Sequence, residues 1–120
     1  MREEPSKCIE QAFDVGRIWA KSDGKSLFRH IEDCLAVYRG LRLALPILPS
    51  LVEWEDFFDL LFCTVYLHDW GKTHVEFQKV LKKKKNQWHH NRHEIFSVPF
   101  VEMLPFTLGQ KALIAESILG

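Results

Sequence analysis

The sequence has few cysteines, no excess of either charge and no apolar run long enough for a membrane. Its three cysteines, Cys8, Cys34 and Cys63, form no C-x-x-C pair and are odd in number, so we expect no disulfide framework and a reducing cytoplasm. Sixteen basic residues balance sixteen acidic ones, so net charge gives no argument for nucleic-acid or membrane binding. The charged residues 1–5 are not a signal peptide, and the longest apolar run is too short to cross a bilayer. We therefore expect a soluble cytoplasmic protein.

What the sequence does contain is helical periodicity. A chain of 120 residues with an apolar fraction of 47% predicts one domain, residues 1–120, with a single core. Apolar residues recur at spacings of three and four, and no stretch alternates as a strand does. We predict an all-α fold after a polar lead over residues 1–12. The predicted helices run from Ser26 to the prolines at 46 and 49, and over Leu51–Trp70, Thr73–Leu81, His93–Leu104 (interrupted at Pro99) and Gly109–Leu119.

The first predicted helix has two apolar stripes. Ser26 is a good N-cap, and Ile31 and Leu35 belong to the stripe that should face the core. His30 and Cys34 share the second stripe, which places His30 inward or at the core margin. A free thiol in such a pattern is usually a small core residue, and we interpret Cys34 and Cys63 in that way.

The second predicted helix is apolar nearly all round, which indicates a central, buried helix. Gly71 supplies its C-terminal stop, so His68 and Asp69 fall in the last turn. An imidazole nitrogen and a carboxylate oxygen are suitable ligands for divalent ions such as manganese, iron, nickel, cobalt, zinc or magnesium. The pair could bind one ion together, or Asp69 could bridge two.

Three further residues are candidates for the same site. His30 is a plausible third ligand because its helix must pack beside the central one, and His93 opens another helix and could be a fourth. Lys72 lies three residues after Asp69, on roughly the same side, where its ammonium group could hold a phosphate. Five of the six histidines fall between His68 and His93, which a metal site would explain.

Each of these features also has a purely structural interpretation. His30 could be a satisfied core histidine, and the pair His68 and Asp69 could be a helix cap with an ion pair. The run Lys82–Lys85 is typical of a solvated surface, although it could also contact a nucleic-acid backbone. His89 and His90 fit an exposed loop.

The candidate site residues belong to a series of motifs that spans residues 18 to 100. The motifs are Trp19-Ala20-Lys21-Ser22 before His30, then His68-Asp69-x-Gly71-Lys72 followed by Phe77-Gln78, and Arg92-His93-Glu94-x-x-Ser97. Their combination resembles the HD superfamily of metal-dependent phosphohydrolases, and within it the HD nuclease of CRISPR type I interference.

The resemblance implies a helical domain that holds one or two ions of manganese, nickel, cobalt, iron or magnesium and cuts single-stranded DNA. It makes His30, His68 and Asp69 metal ligands, assigns His93 to the second ion and places Lys72 near the scissile phosphate. A metal-activated water would attack phosphorus. The implied partners are single-stranded DNA, contacted through its phosphates, and the CRISPR interference helicase with its effector complex.

The family pattern continues with a histidine pair and a later aspartate, which this sequence does not reach by Gly120. We therefore expect the chain to be the N-terminal half of such a nuclease domain, which leaves open whether it is active alone. We also expect exposed apolar surface on the last helix and self-association through it. The alternatives are an HD phosphohydrolase acting on small nucleotides and a non-catalytic helical interaction fragment.

Overall fold

The computed structural model describes residues 18–120 and confirms the all-α class. Cys8 and the polar lead predicted for residues 1–12 lie outside the described residues. Over residues 18–120 the only β pairing is an isolated bridge between Trp19 and Ser26. In the same range, no helix has the length and apolarity that a membrane span requires. The α-helices are α1 (Leu27–Ala44), α2 (Leu48–Leu51), α3 (Phe57–Leu67), α4 (Val75–Leu81) and α5 (Leu108–Leu119); the 3-10 helices are η1 (Trp70–Thr73), η2 (His93–Phe96) and η3 (Val98–Met103).

Helix α1 begins and ends as its sequence predicts. The Ser26 hydroxyl accepts a hydrogen bond from the Arg29 amide, so Ser26 is the N-cap. The helix ends at Ala44, ahead of the first proline. Ile31 and Leu35 are fully buried, which confirms the stripe assigned to the core.

Helix α3 is central, as its all-round apolarity indicates, and two core clusters form on it. The first cluster joins α1 to α3 through Ile31, Leu35, Tyr38 and Phe58. The second joins α3 to α5 and η3 through Leu60, Cys63, Leu67, Val101, Ile114 and Ile118. Burying each of these large apolar side chains contributes about 1.5–3 kcal/mol. The core interpretation of Cys63 is confirmed.

The predicted start of the central helix at Leu51 is wrong. A separate helical turn, α2, occupies residues 48–51, and α3 begins only at Phe57. Between them Glu53 adopts a φ of 54°, a left-handed conformation that a continuous right-handed helix excludes. The α-helix also ends before the predicted last turn, because His68 is the C-cap and Asp69 precedes the 3-10 helix η1.

The predicted start of the next helix at Thr73 is also wrong. His74 is the N-cap of α4, and its Nδ1 accepts a hydrogen bond from the Glu76 amide. The hydroxyl of Thr73 donates instead to the carbonyl of Trp70, which closes η1. Thr73 therefore ends one helical turn and does not start the next.

The region predicted as one helix over His93–Leu104 consists of the two 3-10 helices η2 and η3, separated at Ser97. Pro99 lies in the first turn of η3, where its missing amide hydrogen is tolerated. The region is interrupted as predicted, but the break lies at Ser97 and not at Pro99, and the helix type also differs from the prediction.

Helix α5 begins with a capping box between Thr107 and Gln110. Its Ile114 and Ile118 are buried, whereas Leu108 is exposed, so the exposed apolar surface predicted on this helix is confirmed only at its first residue. The exposed large apolar side chains concentrate elsewhere, in α1 and the segment between α1 and α3. They include Val37, Leu43, Leu45, Ile47, Leu51, Val52 and Trp54.

Candidate metal centre

The centre of the site is the carboxylate of Asp69, which follows the C-cap of α3. Asp69 is only 6% exposed, so its charge needs partners within the protein. Its Oδ2 atom lies 2.7 Å from His30 Nε2, 3.3 Å from His68 Nε2 and 3.0 Å from Lys72 Nζ. Its Oδ1 atom lies 3.0 Å from His93 Nε2. All five residues singled out in the sequence therefore meet at one carboxylate.

The charge of Asp69 is stabilised by this arrangement. Burial opposes ionisation and acts to raise the pKa of Asp69. The hydrogen bonds from His30, His68 and His93 outweigh burial and hold the pKa of the carboxyl far below its ordinary value. An ionised carboxylate surrounded by imidazoles is a favourable environment for a cation.

The ring of His68 has one nitrogen fixed by the backbone. Its Nδ1 atom lies 2.5 Å from the carbonyl oxygen of Val65, and a carbonyl only accepts, so Nδ1 carries a proton. In the neutral ring Nε2 then carries a lone pair, and a lone pair that faces Asp69 Oδ2 is unfavourable. The contact becomes favourable when Nε2 is also protonated or when both atoms bind a cation. The hydrogen bond with Asp69 raises the pKa of His68, against the effect of burial. Such a backbone bond is also the usual means of orienting a metal-binding histidine.

Helix α1 contributes His30 one turn after its N-cap, because α1 packs along α3. The His30 and His68 rings have centroids 5.6 Å apart. Cys34 lies one turn further along α1, half-buried, with Sγ 3.8 Å from His30 Nε2. It is absent from the core clusters, so the interpretation of Cys34 as a core thiol is wrong. In the sequence, Cys34 lies four residues after His30, and this spacing indicates that the two side chains are neighbours on one face of the helix.

His30, Cys34 and His68 form a group that could hold a metal ion, with one ligand atom from each lying within 4.8 Å of the others. Burial, followed by the Asp69 carboxylate, raises the pKa of the Cys34 thiol. The thiolate is the metal-binding form, so the free protein disfavours Cys34 as a ligand, and an ion would have to displace its proton.

Gly71 allows η2 to approach the loop that carries Asp69. A methyl group at Gly71 would overlap the carbonyl oxygen of His93 and lie 2.9 Å from the amide nitrogen of Ser97. Ser97 is fully buried; its hydroxyl accepts from the Gly71 amide at 2.7 Å and donates to the His68 carbonyl at 3.0 Å. These contacts fix His93 and Asp69 relative to each other.

Gln78 fixes Lys72 through the backbone. Its side-chain oxygen accepts from the Trp19 amide at 2.7 Å, and its nitrogen donates to the carbonyls of Trp19 at 2.8 Å and Lys72 at 2.6 Å. The next carbonyl, that of Ala20, accepts from Lys72 Nζ at 3.1 Å. The side chain of Lys72 is 12% exposed and therefore has one defined position beside Asp69.

The remaining histidines do not join the cluster. His89 and His90 are exposed and have positive φ values, which confirms their assignment to an exposed loop. His74 caps α4 and packs against Trp88 and Phe96, with ring centroids 5.1 and 4.9 Å away. The clustering of histidines in the sequence therefore overstates the number of candidate ligands.

The division of contacts between the two carboxylate oxygens has a chemical consequence. His30 and His68 share Oδ2, whereas His93 faces Oδ1, so Asp69 could contribute to two adjacent ion sites. A site of imidazole nitrogens and a carboxylate suits transition-metal ions better than a site of oxygen ligands alone.

Comparisons of the chain with protein-family models, curated proteins and solved structures gave no match.

Proposed function

We propose that the chain is a metal-dependent phosphodiesterase of the HD type, a nuclease that cleaves single-stranded DNA in CRISPR interference. The observation that carries the proposal is the convergence of His30, His68 and His93 through Nε2 on the buried carboxylate of Asp69. The order of the motifs along the chain supports the CRISPR nuclease branch of the HD superfamily. The proposed setting is the cytoplasm, beside the interference helicase and its effector complex.

The proposed ligands divide between two ions. His30, His68 and Oδ2 of Asp69 would hold one, and Oδ1 of Asp69 with His93 the other. Bound manganese, nickel, cobalt, iron or magnesium would supply Lewis acidity and a water of lowered pKa. The protein's own contribution is orientation, because the bonds of His68 to Val65 and of the Asp69 loop to Ser97 fix the ligand atoms before any ion arrives.

Lys72 is the proposed phosphate-binding residue of this site. An ammonium group has three donors, and the Ala20 carbonyl and Asp69 account for two. A third proton can be donated to a phosphate oxygen next to the ligands. In the ion-free protein the same ammonium neutralises Asp69, so an ion and Lys72 would share this carboxylate.

The primary test is calorimetric titration of the chain with Mn²⁺, with Asp69→Ala and His68→Ala as variants. We expect binding by the original chain, none by the variants, and unchanged far-ultraviolet circular dichroism in all three. Asp33→Ala and His90→Ala are the matched controls, because both residues are exposed and lie outside the cluster. Equal Mn²⁺ binding by all five proteins, or none by the original chain, overturns the proposal.

A second assay separates the nuclease from its rivals. Labelled single-stranded DNA and a panel of nucleotides are incubated with the chain and Mn²⁺, Ni²⁺ or Co²⁺. Cleavage of DNA that disappears in Asp69→Ala supports the nuclease. Hydrolysis of nucleotides alone supports the small-nucleotide enzyme, and metal binding with no hydrolysis of either supports the non-catalytic fragment.

A further inference from the structure

The positive charge of this neutral chain is concentrated beside the metal centre. Residues 77–93 contain no aspartate or glutamate, but they contain six lysine and arginine side chains. Because the whole chain has sixteen residues of each sign, this segment departs strongly from the average. The six are Lys79, Lys82, Lys83, Lys84, Lys85 and Arg92.

The backbone folds this lysine run against the end of α4. The Lys84 amide donates to the carbonyl of Lys79 at 2.8 Å, and the Lys83 amide donates to that of Val80 at 3.1 Å. This is the Schellman pattern, with Lys83 in the left-handed conformation at a φ of 57°. Lys83 therefore occupies a backbone position that favours glycine.

The fold creates an open pocket of about 270 Å³ at this place. Lys79, Lys82 and Lys84 line it, together with Thr73 and Gln78. Lys79 Nζ lies 3.0 Å from Glu76, so part of its charge is compensated. Lys82 Nζ lies 5.4 Å from the centre of the Trp19 ring, within the range of a cation–π contact.

The pocket and the metal centre share a wall. Gln78 lines the pocket, and its side chain also holds the Lys72 carbonyl. Thr73, on the same wall, is the residue after Lys72. Gln78 and Thr73 therefore connect the lysine-lined pocket to Lys72, which borders the proposed site of phosphodiester cleavage.

We propose that this lysine pocket binds a phosphate of a polynucleotide strand whose neighbouring phosphodiester lies at Asp69 and Lys72. The placement of the neighbouring phosphodiester at Asp69 and Lys72 rests on the proposed function. Contacts made by lysines to phosphates carry no sequence information, so the pocket favours a strand of any sequence. It also favours an oligonucleotide over a mononucleotide, because a substrate with a single phosphate cannot reach both places.

The test is fluorescence anisotropy with labelled oligothymidylate in the presence of a chelator, so that no ion contributes. We expect the Kd of the double variant Lys82→Gln/Lys84→Gln, which changes the net charge by as much as Arg39→Glu does, to rise at least about tenfold at roughly 50 mM salt. The slope of log affinity against log salt should fall by about 1.4, or about 0.7 for each of two lost phosphate contacts to a single strand. The matched control is Arg39→Glu on the exposed side of α1, which should change neither quantity.

An unchanged Kd and slope in the double variant overturns the inference. So does a loss of affinity equal to that of Arg39→Glu, which would indicate a general charge effect. Binding of anionic phospholipid vesicles, without binding of the oligonucleotide, would assign the pocket to a membrane surface and also overturn it. Mn²⁺ titration of the same samples distinguishes the two proposals, because a failed pocket leaves ion binding by the His30, His68 and Asp69 cluster intact.

Discussion

At its C-terminal end, α3 leads into a cluster in which Asp69 has four side-chain partners and Ser97 is bonded on both sides. At its N-terminal end, the same helix is preceded by a short turn around which Ile47 and Leu51 are 58% and 66% exposed. The first end is thus fixed by directional bonds and close backbone contact. The segment that precedes the second end contains loosely covered apolar side chains, so substitutions in that segment should matter far less.

The largest effect is expected for Gly71→Ala. The added methyl would overlap the backbone of His93, which cannot move without separating η2 from the Asp69 loop. We expect a loss of about 3 kcal/mol in the free energy of unfolding, together with loss of Mn²⁺ binding. Urea denaturation measures the first and calorimetry the second.

Gly40→Ala is the matched control for that substitution. Gly40 lies within α1, and a methyl there meets nothing within 4 Å. Because alanine is the better helix former, this variant should gain about 1 kcal/mol. Similar losses in both variants would contradict the close approach at Gly71.

Gln78→Leu should have the next largest effect. It removes the three hydrogen bonds to Trp19 and Lys72 and leaves their backbone groups without these partners. We expect a loss of about 2–3 kcal/mol in the free energy of unfolding. Lys72 should also become more reactive towards acetic anhydride, which peptide mass mapping detects.

Gln87→Leu is the control for Gln78, because Gln87 is an exposed loop residue. It should change stability by less than about 0.5 kcal/mol. Unchanged reactivity of Lys72 in Gln78→Leu would show that this lysine is not held through the Ala20 carbonyl.

Ser97→Ala tests the bond between η2 and the Asp69 loop. Loss of the hydroxyl leaves the Gly71 amide and the His68 carbonyl without their shared partner, at a cost of about 1–3 kcal/mol. Mn²⁺ affinity should fall by about 10–100-fold, as it does when a group that orients a ligand is removed. The matched control is Ser117→Ala, an exposed serine of α5, which should leave both quantities nearly unchanged. Equal behaviour of the two variants would remove Ser97 from the site.

The two ends of α3 also differ in how well the sequence predicts them. His30 and His93 are predicted as companions of His68 from helix packing and from the order of the motifs, although their meeting at Asp69 is a long-range contact. The cap at Ser26, by contrast, is a local signal. Local signals of this kind depend only on a few neighbouring residues.

The features that were missed depend on distant contacts or on backbone geometry. Gln78 and Trp19 are 59 residues apart, and no local pattern places one beside the other. The break at Glu53 needs a positive φ that glutamate does not signal. Apolar periodicity assigns Cys34 to the core, but its thiol lies beside His30 at the core margin.

The smallest effect is expected at the N-terminal end of α3, from Ile47→Ser and Leu51→Ser. Because both side chains are already mostly exposed, each variant should change the free energy of unfolding by less than about 0.5 kcal/mol. If the self-association expected from the sequence uses these exposed apolar side chains, the double variant should shift sedimentation velocity towards the monomer at high concentration. Leu60→Ala is the contrast, since Leu60 is buried between α3 and α5 and its truncation should cost about 2–5 kcal/mol. A loss above 1 kcal/mol in either serine variant would mean that this end is held as firmly as the Asp69 cluster.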